Sequence, residues 1–163
     1  MPSVDPPSVL YAHYGFRSGP RRFGTRPFNF MLGEYTKGYT MKFKSKLYDW
    51  IDASLAQAKN PNELGFNFNL REPYGVEIIG SNVFDEKDPD WPCEETFVPK
   101  QRDMNIPNEV CSGTWEECLA LMKGLILEYM ASKRSGSKIL MKSKGVGVCF
   151  VDGDMELLYV NKD

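Results

Sequence analysis

Gly145-Val146-Gly147-Val148-Cys149-Phe150-Val151-Asp152-Gly153-Asp154-Met155-Glu156-Leu157-Leu158-Tyr159 decides the fold, because two apolar runs flank a dipeptide suited to a tight turn. Asp152-Gly153 tolerates the positive φ angles of a two-residue type I′ hairpin. With those two residues in the loop, Phe150 faces Met155, Cys149 faces Glu156, Val148 faces Leu157, Gly147 faces Leu158 and Val146 faces Tyr159. Alternation then gathers Val146, Val148, Phe150, Met155, Leu157 and Tyr159 on one side of the pair. An isolated hairpin is marginal in water, so this apolar side requires a partner.

The preceding segment supplies one. Thr114 and Glu117 have the spacing of a capping box, and Trp115, Cys118, Leu119, Met122, Leu125, Ile126, Tyr129 and Met130 recur at helical intervals. Gly136 is the expected stop, Ile139–Met141 an additional strand, and Gly124 the expected mark of a close crossing. A first helix is expected over Ser45–Ala58, ended by Asn60-Pro61, although Lys42, Lys44 and Lys46 sit where a helix N-terminus disfavours cations. Phe66, Phe68 and Leu70 alternate with Asn67, Asn69 and Arg71, predicting a strand with one buried face. The turn Glu72-Pro73-Tyr74-Gly75 leads into a second strand over Val76–Phe84, with Thr96–Val98 a further short one. The expected fold is α+β, an antiparallel sheet of two hairpins packed on two helices.

Length and composition suit one globular domain, since 163 residues with 42% hydrophobic content can bury a core. No apolar run approaches the roughly 18 residues that cross a bilayer. The opening Met1-Pro2-Ser3-Val4-Asp5-Pro6-Pro7 lacks a signal-peptide pattern, so a cytoplasmic location without membrane attachment is expected. Cys93, Cys111, Cys118 and Cys149 form no CxxC pair and are expected to be reduced thiols. With His13 the sole histidine, no zinc site, other metal site or cofactor is expected.

Residues 1–40 carry five basic residues against two acidic ones, with five prolines and five glycines, and predict a flexible basic arm preceding a domain over 41–163. The rest of the chain carries a charge of −5. Much of that excess lies in one loop. Asp85, Glu86, Asp88, Asp90, Glu94 and Glu95 stand around Trp91 and Cys93 with Lys87 as the one cation. This pattern predicts a docking surface for a basic protein, with carboxylates steering encounter and Trp91 as anchor. The alternative is a solvated acidic loop with Trp91 folded back onto the core. Prolines interrupt the run and exclude an EF-hand. Asp152, Asp154 and Glu156 are explained by turn chemistry and strand alternation. Lys133, Arg134, Lys138, Lys142 and Lys144 form a basic cluster accounted for by helix capping and solubility.

The segment Gly145 to Glu156 resembles the closing hairpin of small bacterial immunity proteins that neutralise polymorphic or contact-dependent toxins. That resemblance implies a non-enzymatic antitoxin-like inhibitor whose partner is a cognate toxin, often a basic nuclease. Two other classes remain open. One is a small enzyme using carboxylates or Cys149; the other is a nucleic-acid-binding protein using the arm, where Arg21-Arg22-Phe23 interleaves charge and aromatic rings.

Overall fold

The computed structural model describes residues 28–163, with side chains described from residue 36. Residues 1–27, most of the expected arm, lie outside the described residues. In chain order the elements are α1 (Phe28–Leu55), β1 (Gly65–Arg71), β2 (Gly75–Ser81), β3 (Asp103–Asn105), α2 (Trp115–Ala131), α3 (Ser135–Lys142), β4 (Gly145–Phe150) and β5 (Glu156–Val160). Single 3-10 turns lie at Pro61–Glu63 and Trp91–Cys93.

The class is α+β, but the sheet is mixed where an antiparallel one was expected. Its order is β3-β2-β1-β4-β5, with β1 and β4 parallel at the centre. The other three pairs are antiparallel. Parallel strands need a long crossover, and here the chain runs through β2, β3, α2 and α3 between them. Central strands are covered on both faces, which is why β4 reads as a nearly continuous apolar run while β5, at the edge, is half-buried throughout.

Phe66, Phe68, Leu70, Val76, Ile78, Val146 and Val148 are fully buried on one face. They join Leu47 and Ile51 of α1 with Met122, Ile126 and Tyr129 of α2 in one core. The helix α1 begins well before Ser45, inside the stretch expected to be an arm. Lys42, Lys44 and Lys46 therefore lie in its interior, which removes the conflict with the helix dipole. Lys44 pairs with Glu128 of α2.

The capping box of α2 forms as its sequence predicts: the Glu117 N–H donates to the Thr114 hydroxyl and the Glu117 carboxylate accepts from the Thr114 N–H. Two expectations nearby fail. Gly124 has open space around it among the described residues, so none of them crosses closely there. The close crossing is at Gly136, where a Cβ would stand 2.2 Å from the Tyr129 hydroxyl and 3.2 Å from Leu55. Gly136 is no helix stop either. Lys133, at φ 61°, ends α2, and residues 139–141 are helical because α3 starts at once. Asp52 of α1 receives the N-terminus of α3, accepting from the Gly136 N–H at 2.8 Å, the Tyr129 hydroxyl at 2.6 Å and Arg134 Nε at 2.7 Å.

The register of β4 and β5 differs from the expected one. Val146 faces Tyr159 as predicted, but Gly147 faces Leu157 and Val148 faces Glu156, so Leu158 is an extra residue in a bulge. The turn explains the shift. Asp152 alone has positive φ, at 70°, and the Gly153 N–H donates to the Phe150 carbonyl at 2.9 Å. Positive φ at the third position only is a type II pattern, not type I′. Glu156 consequently points to the helical face and pairs with Lys123 of α2.

Cys111 and Cys118 form a disulfide with their Cα atoms 5.2 Å apart, against the expectation of four free thiols. The reversal at Thr114 brings the loop back over the first turn of α2, a meeting that sequence spacing alone does not show. Cys93 and Cys149 are free.

Candidate functional site

The acidic loop leaves β2 through Phe84 and crosses the sheet face opposite the helices. Phe84 covers Gly65 and Gly145, where a Cβ would meet its ring at 2.5 Å and 2.3 Å. Trp91 then packs edge-on against Phe84, with ring centroids 5.0 Å apart. At 1% exposure Trp91 is among the most buried side chains of the described residues. The expectation that it anchors a partner is therefore corrected: the ring lies against Gly147 and pins the loop to the sheet. Trp91 is the one aromatic ring within residues 85–95, and turning it inward beside Phe84 removes a large apolar surface from water.

The six carboxylates divide into two groups. Glu86 is paired with Lys162 at 2.7 Å, and Glu95 with Arg102, whose Nη1 donates to it at 2.9 Å. Those two are neutralised. Asp85, Asp88, Asp90 and Glu94 are exposed and have no ion pair among the described residues. Asp85 and Asp88 accept the backbone N–H of Lys87 and Asp90, each at 2.9 Å, which fixes the local turns. The outcome is a ridge with four exposed carboxylates, two of them tied to local backbone N–H groups, smaller than the seven-residue surface expected.

Beneath the loop lies a polar chain that the sequence did not disclose. Asn67 Nδ2 donates toward Cys149 Sγ at 3.3 Å, and Asn69 Nδ2 donates to Glu77 at 2.8 Å. Glu77 in turn accepts from Arg102 Nε at 2.6 Å. Burial pushes the Glu77 carboxyl upward, but the hydrogen bonds from Arg102 and Asn69 outweigh it and hold the group below its ordinary value. Asn67, expected on a solvated face, is fully buried by the loop. Its Oδ1 and Trp91 Nε1 are the buried side-chain polar atoms without a protein partner among the described residues. A lone acid in the apolar run Val76–Ser81 was the available signal, since a half-buried carboxylate requires a partner.

Burial also raises the Cys149 thiol, against the hydrogen bond from Asn67. A nucleophilic cysteine needs the opposite shift and a cation or helix N-terminus beside it. Asp154 and Glu156 do not converge with it, because Glu156 reaches Lys123 on the other face. In the basic cluster, Arg134 is held by Asp49 and Asp52, while Lys133, Lys138 and Lys142 line a shallow surface beside Met130 and Met141. Among the described residues no His, Cys, Asp or Glu side chains are grouped in threes to hold a metal ion, and no helix is long and apolar enough to cross a membrane.

Comparison of the chain with protein-family models, with curated protein sequences and with solved structures returned no match.

Proposed function

We propose that this protein is a non-enzymatic binding protein, an immunity- or antitoxin-like inhibitor that neutralises a basic partner domain through the ridge of Asp85, Asp88, Asp90 and Glu94. The carrying observation is that these four carboxylates are exposed and, among the described residues, without an ion pair, on a loop whose central ring, Trp91, is buried under it. Fixing charges before the encounter lowers the ordering cost of binding. Exposed like charges on one ridge also create a field that steers a cationic surface toward it. The resemblance of Gly145–Glu156 to immunity proteins points the same way. The cytoplasmic expectation meets one opposing observation, the Cys111–Cys118 disulfide, because such bonds persist mainly in oxidising compartments.

The test is association with the product of the reading frame adjacent to this one in its native genome, measured by stopped flow across a salt series. The association rate should fall by roughly tenfold or more from low to physiological ionic strength. Replacing Asp85, Asp88 and Asp90 together by Asn should slow association while leaving the unfolding midpoint in place. A salt-independent rate, or full speed in the triple variant, overturns the proposal.

A further inference from the structure

At the far end of β1 from the ridge, the carboxyl ends of the parallel strands β1 and β4 open into a groove of about 550 Å³. Its lining comprises Arg71, Glu72, Trp115, Phe150 and the turn Val151–Asp154. Phe150 forms the floor and is 8% exposed, whereas Trp115 and Val151 stand out at 46% and 55%. Trp115 meets Phe150 edge-on with centroids 5.8 Å apart. Its backbone is fixed by the capping box, by the Cys111–Cys118 bond on either side of it, and by the Tyr74 hydroxyl donating to the Gly113 carbonyl at 3.1 Å. A half-exposed tryptophan held this firmly has little conformational freedom to lose on contact.

The charges of the groove are unbalanced. Arg71 is committed, with Nη2 donating to Asp103 at 2.6 Å and Nη1 to the Pro73 carbonyl at 3.2 Å. Asp152 and Asp154 are exposed and have no ion pair among the described residues. Negative charge crowds the neighbouring Tyr74 as well: its hydroxyl is raised by burial and then by Glu72, Glu116 and Glu117. An aromatic face beside unpaired carboxylates is the surrounding that suits an alkyl-stemmed cation. The ring attracts the charge, the carboxylates accept its N–H groups, and Phe150 and Val151 cover its methylenes.

We propose that this groove receives an arginine or lysine side chain of a protein partner, placed against Trp115 and flanked by Asp152 and Asp154. The inference rests on the partner being a basic protein, and it adds a second contact about 20 Å along β1 from the ridge.

The test is titration of the full chain with hexaarginine amide, read by acrylamide quenching of tryptophan fluorescence. Trp50 and Trp91 are buried at 6% and 1%, so among the described tryptophans the quencher reports Trp115. Hexaarginine should protect Trp115. The Asp152→Asn/Asp154→Asn variant should weaken that protection by about three- to tenfold. Asn is chosen because it tolerates the positive φ of Asp152. The Asp85→Asn/Asp88→Asn/Asp90→Asn variant should leave Trp115 protection unchanged. Absence of protection overturns the proposal, as does equal protection by hexaglutamate or by tetramethylammonium, or full protection in the Asp152/Asp154 variant. The two sites fail separately. Loss of the groove effect with ridge-dependent partner association intact breaks only the groove, and the converse breaks only the ridge.

Discussion

The two faces of the sheet are built from alternate residues of the same strands yet hold together by different means. On the helical face Phe66, Phe68, Leu70, Val76, Ile78, Val146 and Val148 pack into one apolar core. On the other face Asn67, Asn69, Glu77 and Cys149 are joined by hydrogen bonds and covered by the loop carrying Trp91. Ile79 and Trp91 are buried there too, outside the helical core. Apolar contact is non-directional and tolerates small adjustments, whereas a buried polar chain is stable only when each member keeps its partner. The second face is thus the more conditional one, and it is the face that positions the acidic ridge.

The largest expected effect separates the faces directly. Phe68→Ala, on the helical side, should cost about 3–5 kcal/mol in chemical denaturation, because a fully buried ring leaves a cavity. A loss near zero would show that the helices do not seal that face. Next in size is the clip that joins two buried members of the helical core. Cys111→Ser/Cys118→Ser should lower stability by about 2–3 kcal/mol, from the release of a short closed loop. The unfolding midpoint with and without reductant checks it, since the variant should no longer respond to reductant.

The polar face should give a smaller loss that depends on pH. Arg102→Met deprives Glu77 of its charged partner and should cost about 1–2 kcal/mol at neutral pH. The folded Glu77 carboxyl lies below its unfolded value of 4.5, so its stabilisation is present above that pH and is lost as pH falls through the lower folded value. The gap between parent and variant should therefore narrow on acidification below about 4.5. A gap that stays constant would assign the effect to packing by the Arg102 stem. The smallest effect belongs to the ridge: Asp88→Asn should change stability by less than about 0.5 kcal/mol, since the side chain is exposed and, among the described residues, without an ion pair. A larger loss would make the ridge a structural element of the second face.

The helical face was legible in the sequence because burial on one side imposes a period that survives in the residues themselves. Phe66, Phe68 and Leu70 alternate, and the stripe from Cys118 to Tyr129 recurs at three and four. The ridge was legible as charge, but its division into paired and unpaired carboxylates was not. Glu95 finds Arg102 within its own loop, while Glu86 finds Lys162 at the other end of the chain. Trp91 shows the same limit, since an aromatic residue among acids is equally consistent with an exposed anchor and a buried pin. The groove was missed for a related reason: Trp115 appeared as one more member of an apolar stripe.

By itself the sequence determined the α+β class, the cap of α2, the strand at Phe66–Leu70 and the local excess of negative charge, all of which depend on neighbours within a few residues. Only the tertiary structure decided that β1 and β4 lie parallel, that Leu158 is bulged, that Cys111 meets Cys118 and that Trp91 turns inward. Local preference is set by backbone torsions and short-range spacing, which each residue carries with it. Pairing across the sheet and across its loops is set by which distant groups share the same buried volume, and that exists only once the chain has closed on itself.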